Sequence, residues 1–349
     1  MEDGPQTRPP EDAAESPAAP DASARATADA APPTPAEVSR RLGEARETIL
    51  AETETVVVGM GEIVDLILIG IVAGGHLLFE GVPGMAKTLL VKTLADLLGC
   101  EFSRIQFTPD LLPADITGSY VFNRESHSFE LHKGALFAQI VLADEINRAP
   151  SKTQSALLEA MQERQITIEG RSFSLDPPFI VMATQNPVEQ EGVYRLPEAQ
   201  LDRFFMRVLF GYPKREDELK ILKIHSAPLP NLSAVLDAPT LARFQEALPG
   251  VHLRDELYGF IVDLGARTRE HDEILLGASP RALVALVRAA RARALLQGRD
   301  YATHEDIRRL ASPVLNHRLI LRPEVEIEGR TGGQILDDIL RDMPVYDAS

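Results

Sequence analysis

Eight consecutive residues, Gly81-Val82-Pro83-Gly84-Met85-Ala86-Lys87-Thr88, combine two glycines, a lysine and a hydroxyl at a spacing that suits a chain of phosphates. The preceding stretch, 76–80, reads as a strand, and 89–98 reads as a helix. A glycine turn between strand and helix lets backbone N–H groups wrap phosphate oxygens, and the helix N-terminus adds partial positive charge. Lys87 is spaced to reach the β and γ phosphates, and the Thr88 hydroxyl to ligand magnesium. Ala86 stands where a second glycine is usual, so a positive φ at that position would be strained. A glycine turn can match this pattern by chance, so a second element is needed.

That element is Ile140-Val141-Leu142-Ala143-Asp144-Glu145, an apolar run that ends in two adjacent acids. Parallel strands bring such ends to a ligand crevice. There Asp144 would hold magnesium, directly or through water, and Glu145 would polarise an attacking water. A third candidate, Asn186, follows the apolar run 179–183 through Thr184-Gln185; its amide could orient that water or touch the γ-phosphate. An isolated Asn-Pro is otherwise a turn.

These groups need a frame. Strand-like runs at 76–80, 101–107, 139–143, 179–183 and 204–210 alternate with helical patterns, which predicts an α/β fold with a mostly parallel sheet covered by helices on both faces. Beyond Gly211-Tyr212-Pro213 the periodicity turns helical at 216–225, 240–247, 255–268, 280–296 and 304–315, with 324–328 a candidate short strand. Upstream, Val38, Leu42, Ala45, Ile49 and Leu50 recur at helical spacing. The expected division is an acidic, Ala/Pro-rich tail over 1–36, a nucleotide-binding core over 37–211, and a smaller helical domain over 212–349. The tail lacks aromatic residues and Val, Ile or Leu, so it cannot offset its ordering entropy and is expected to be disordered.

Composition narrows the function. The 349 residues carry 52 acidic against 36 basic side chains, a formal net charge of -16, which disfavours general nucleic-acid binding. Cys100 is the single cysteine, so an internal disulfide framework or cysteine metal cluster is excluded, and its apolar neighbours suggest a core thiol. The acidic N-terminus does not read as a secretory signal, and the most apolar segment, 66–79, is short for a membrane span; a cytoplasmic protein is expected.

The order of P-loop, Asp-Glu strand end and following asparagine resembles an AAA+ ATPase. The wording of the motifs is similar to the MoxR family: Gly81–Thr88 with its alanine, Leu142-Ala143-Asp144-Glu145-Ile146-Asn147-Arg148-Ala149-Pro150, the helix over 152–163, Ala183-Thr184-Gln185-Asn186-Pro187, and the segment 196–204. The resemblance covers roughly residues 37 to 345 and implies an AAA+ core followed by a helical lid, with ATP and Mg2+ as cofactors. It further implies that Arg203 is an arginine finger reaching the nucleotide of a ring neighbour, with Arg195 a competitor for the role. Arg281, opening a helix behind Pro280, would be a second sensor coupling the lid to the phosphates. Val57, Val58 and Gly59 would pack around adenine, although core and turn roles fit them equally.

Two segments read as hairpins: 120–131, and 165–173 with a turn at Glu169-Gly170. In related AAA+ proteins such hairpins contact a client. The family resemblance implies a homo-oligomer, expected as a hexameric ring, that assembles or activates a partner protein, often one with a von Willebrand factor A domain; metal or cofactor loading is one outcome. The competing readings are a nucleic-acid motor, disfavoured by the balance of charge on the hairpins, and a nucleotide-gated scaffold with little turnover, disfavoured by the presence of Glu145 and Arg203.

Overall fold

Helix α1, Pro35–Glu54, begins with a reciprocal cap in which Thr34 Oγ1 accepts from Glu37 N and Glu37 Oε2 accepts from Thr34 N. The computed structural model to which it belongs describes residues 33–82, 84–185, 194, 196–224 and 230–344. Of the tail expected to be disordered over 1–36, residues 1–32 lie outside the described residues, as do Pro83, Asn186 and Arg195, whereas Thr34 caps α1 and Pro35 and Ala36 open it, so the expected boundary falls inside the helix. Val38, Leu42, Ala45 and Ile49 of α1 are buried, as their spacing requires, and α2, Gly61–Val72, follows.

Strands β1 (Leu77–Gly81), β2 (Phe102–Gln106), β5 (Ile140–Asp144), β8 (Ile180–Gln185) and β9 (Met206–Phe210) form one parallel sheet in the order β2-β5-β8-β1-β9. Two antiparallel hairpins interrupt the alternation: β3 (Gly118–Asn123) with β4 (Ser128–Lys133), and β6 (Gln165–Ile168) with β7 (Arg171–Ser174). Glu169 and Gly170 both take positive φ, 47° and 79°, which gives the second hairpin a turn matched to strand twist. Helices α3 (Lys87–Leu97), α4 (Pro113–Thr117), α5 (Ser151–Glu163) and α6 (Glu198–Leu201) complete this part.

Side chains alternate along the strands between two apolar bodies. Leu77, Phe79, Ile140, Leu142, Ile180 and Met182 enter one, and Leu78, Val141, Ala143, Val181 and Ala183 the other. The second body takes in Ile116 of α4, Leu157 of α5 and Ile166 of β6. The first continues without a break into the C-terminal helices α7 (Arg215–Ile224), α8 (Ala238–Ala247), α9 (Asp255–Glu270), α10 (Pro280–Leu296), α11 (His304–Leu315), α12 (Pro323–Ile327) and α13 (Gly332–Arg341), through Phe244, Leu286, Leu310 and Ile335 among others. Helix α10 packs directly on α1 and α2.

One local expectation changes. Residues 324–328 do not form a strand: Pro323 at the first helical position sets φ for a helix, and α12 buries Val325. The small ribbon in this region instead pairs β10, Ile274–Leu276, with β11, Ile320–Leu321, too short to show a periodicity. Cys100 is buried, and burial pushes its thiol up to about 11, in keeping with a core role.

Candidate nucleotide site

Two cavities meet at the turn between β1 and α3. One, of about 670 Å³, is mainly apolar and is bordered by Val56, Val57, Val58, Tyr212 and Leu222. The other, of about 500 Å³, is mixed in lining but carries most of the charged and polar side chains, Lys87, Thr88, Asp144, Glu145 and Thr184 among them, and is the polar chamber of the pair. Gly84, Met85 and Ala86 border both. An apolar chamber joined through a glycine turn to a polar one fits a purine base at one end and its phosphates at the other.

The turn has the conformation that the sequence made costly. Ala86 sits at φ 51° and ψ 23°, left-handed, just before the first residue of α3, while Gly84 has φ 83° and open space where a Cβ would stand. A left-handed alanine costs roughly 1 kcal/mol, and strain of that kind is found where backbone must approach a ligand. Gly59 does not border the apolar cavity. Its φ is 77°, its N–H donates to Glu54 Oε2 (3.0 Å), and a Cβ there would collide with Asp217, so its glycine character serves a turn and a close approach to α7.

The register of the parallel strands assembles the polar chamber. Ala143 of β5 pairs with Ala183 of β8, and Phe79 of β1 with Thr184. Thr184 Oγ1 donates to Asp144 Oδ1 at 2.7 Å and accepts from Glu145 N at 2.8 Å, tying the acid pair to β8. Lys87 Nζ folds onto Gly81 O at 2.7 Å; burial lowers its pKa, opposed by Asp144 and Glu80. Glu145 is held at φ 56°, and its Oε2 accepts from Gln106 Nε2 (2.7 Å) and Arg148 Nη1 (2.8 Å). Arg104 Nη2 donates to Asp144 Oδ2 (2.7 Å) and to Gln106 Oε1 (2.9 Å), so both acids are linked through two residues of β2. Arg104 and Gln106 were missed in the sequence; polar residues at a two-residue spacing near the end of a strand were the available signal.

The donor set suits magnesium with a triphosphate. Thr88 and Asp144 offer hard oxygen donors in the polar cavity, and no group of three or more His, Cys, Asp or Glu suited to a metal occurs among the described residues. Magnesium is commonly held by one or two protein oxygens plus phosphates and water, so this sparse set fits an ion arriving with its nucleotide.

Arg203 and Arg281 do not border either chamber. They line a third cavity, of about 230 Å³, with Arg164, Arg288, Arg318 and Asp202. Gly74, Gly75 and His76, which lead into β1, and Phe205, which precedes β9, border it too, so it lies at the N-terminal edge of the sheet. That edge is about 16 Å from Gly81, at roughly 3.3 Å per strand residue. Arg281 is 3.9 Å from Asp202, and the Arg203 side chain makes no hydrogen bond or ion pair among the described residues. The expectation that Arg281 couples the lid to the phosphates is therefore not met within its own subunit.

Residues 76–206 match the family described as "ATPase family associated with various cellular activities (AAA)", and 266–339 match the AAA lid domain. The chain is 46% identical to the uncharacterized protein YeaC of Bacillus subtilis over 301 residues, covering 86% of this chain and 93% of that one. It is 43% identical to chaperone MoxR1 of Mycobacterium tuberculosis, over 83% of this chain and 80% of the relative. Protein MoxR of Methylorubrum extorquens is 30% identical, over 83% of this chain and 91% of the relative. Among solved structures, a presumed ATPase from Cytophaga hutchinsonii superposes with a TM-score of 0.84 at 42% identity, covering 89% of this chain and 98% of that one. A strained P-loop, an Asp-Glu strand end tied to the next strand, a helical lid and relatives of this kind lead to one assignment: the chain belongs to the MoxR family of AAA+ ATPases.

Proposed function

We propose that this chain hydrolyses ATP with magnesium, works as a ring of identical subunits, and uses the cycle to remodel or activate a partner protein. The observation that carries the reading is the pair of chambers joined at Gly84–Ala86, with Glu145 beside the polar one. We take residues 37–211 as the nucleotide-binding core and 212–349 as the lid.

In this reading Val58 packs on the base, the 81–88 turn cradles the phosphates, and Lys87 leaves Gly81 O to neutralise them. Thr88 and Asp144 would hold magnesium, which offsets phosphate charge when bound. Glu145 orients and polarises the attacking water once its carboxylate leaves Gln106 and Arg148. Asn186 is assigned to the same water by family likeness. Arg203 and Arg281 stand on the wrong edge of the sheet for their own phosphates, which supports the reading that they act on nucleotide held by a second copy, as in a ring. Family likeness makes that ring a hexamer and its partner a protein with a von Willebrand factor A domain, for which metal or cofactor loading is one outcome.

The hairpins favour a protein client over nucleic acid. Arg124, Lys133 and Arg171 are balanced by Glu125, Glu130 and Glu169, whereas Val121, Phe122 and Phe129 are exposed on the first hairpin. Phe122 and Phe129 meet edge to face at 5.3 Å, an apolar surface suited to polypeptide.

The test is Glu145→Gln. It should bind ATP as the parent does and lose turnover by on the order of 10²-fold or more; turnover equal to the parent would remove the assignment.

A further inference from the structure

The turn that carries Arg203 is held by the core through its N–H groups, Phe205 N donating to His76 O at 2.7 Å, and by the lid through its carbonyls. Arg318, in the short helical turn after α11, is nearly buried, its side chain 4% exposed. Its Nε lies 2.8 Å from Asp202 Oδ1, and its Nη2 donates to Phe204 O at 2.7 Å. Longer contacts of 3.3 Å run from Nη1 to Phe205 O and from Nη2 to Asp202 O. The same guanidinium donates to Val314 O at 2.7 Å, near the end of α11. The neighbouring His317 donates from Nε2 to Phe204 O at 3.1 Å. Carbonyls on both sides of Arg203 are therefore held by two lid residues, while the Arg203 side chain has no hydrogen bond or ion pair among the described residues.

Asp202 extends the arrangement. Its carboxylate faces Arg318 on one side and Arg281 on the other, so the residue next to Arg203 also neighbours the arginine that opens α10. Burying a guanidinium against one carboxylate and several carbonyls carries a desolvation penalty and is weak grounds for stability alone. What the fork does supply is fixed geometry: five N–H donors in one plane can hold a carboxylate and separate carbonyls together, which a lysine ammonium cannot.

We propose that Arg318 is a positioning residue for Arg203. It locks the turn 202–205 to the lid, so that Arg203 and Arg281 move as one body and are presented together to nucleotide bound by a second copy of this chain. Lid displacement in one subunit is thereby read at its neighbour's active site. This inference rests on the reading of Arg203 as acting in trans.

The test is complementation between full-length subunits. Arg318→Lys keeps the charge and loses the fork; it should bind ATP within about twofold of the parent yet turn over about tenfold more slowly or worse, since an arginine supplied in trans is worth on the order of 10³ in turnover. Mixed with Glu145→Gln subunits, which keep Arg203 but lack the base, it should regain activity above the sum of the two alone, because its intact sites then border an intact arginine. Arg203→Ala mixed with Glu145→Gln is the control. Recovery in the control with none for Arg318→Lys, or full activity of Arg318→Lys alone, overturns the role of Arg318 and leaves Arg203 in place. No recovery in the control overturns the trans reading and this inference with it. If Arg318→Lys does not fold, Asp202→Asn, which removes the carboxylate facing the guanidinium, enters the same mixture with the same expectations.

Discussion

Arg104 and Asp144 face each other across the strand pair β2–β5, with Nη2 and Nε of the guanidinium 2.7 and 3.2 Å from the same carboxylate oxygen. A cation thus already engages the carboxylate assigned to magnesium. Because Arg104 also grips Gln106, and Gln106 holds Glu145, a change at Asp144 is felt at the assigned base.

Arg104 therefore competes for Asp144. Its side chain is about half exposed, so the pair is worth about 1 kcal/mol at most. Arg104→Ala should lower the magnesium concentration needed for half-maximal binding of a fluorescent ADP by up to about fivefold. An unchanged or higher requirement would show that Arg104 does not compete.

Ala86→Gly should stabilise the protein. The left-handed φ of 51° is penalised in alanine and open to glycine. The urea midpoint should rise by the equivalent of up to about 1 kcal/mol, less than the full strain because glycine frees the unfolded chain. A fall in the midpoint would mean that the turn is not strained in solution.

Asp306 is a buried charge in the lid. It is fully buried, ion-paired with Arg293, 2.8 Å from Arg299 Nη2, and accepts from Thr303 N at 2.7 Å. Burial raises its pKa, but the hydrogen bonds from Arg299 and Thr303 outweigh that and leave it lowered. Asp306→Asn strands two guanidinium groups and should cost about 3 kcal/mol in a denaturant titration. A loss below about 1 kcal/mol would mean that water reaches the site.

His76 gives the acid limb of stability a different origin. Its Nε2 donates to Met161 O at 2.9 Å, its Nδ1 accepts from Val181 N at 3.0 Å, and burial pushes its pKa down to about 4. The folded form stays neutral while the unfolded chain gains a proton below about pH 6.5. Stability is therefore full above pH 6.5 and falls as pH drops towards 4, by about 1.4 kcal/mol per pH unit for one proton. His317, pushed down to about 3 by burial and the neighbouring Arg318, adds the same sign. His76→Gln should flatten the dependence between pH 7 and 5; an unaltered slope would mean that another group sets it.

The sequence was most legible where chemistry and local geometry coincide. Lys87, Thr88, Asp144 and the Glu169-Gly170 turn all sit where their own neighbours dictate, because strand ends and tight turns are fixed by a few consecutive residues. Positions set by long-range packing were not legible. Arg281 could be recognised as a helix-opening arginine behind Ser279 and Pro280, but which edge of the sheet it meets depends on how α10 crosses α1 and α2. Arg318 lies more than a hundred residues from the turn it holds. Gly59 read equally well as base contact or turn, and only the approach of Asp217 separates the two.

The unbroken apolar body that runs from the sheet into α13 sets the kind of motion open to the lid. A swing that parted the two would bring buried side chains such as Phe244 and Leu286 into water, at about 25 cal/mol for every Å² exposed. Small sliding of packed helices keeps them dry. Any lid movement is then expected to be one of shear, short and stiff, and slow amide exchange should extend across the lid boundary as a single protected block.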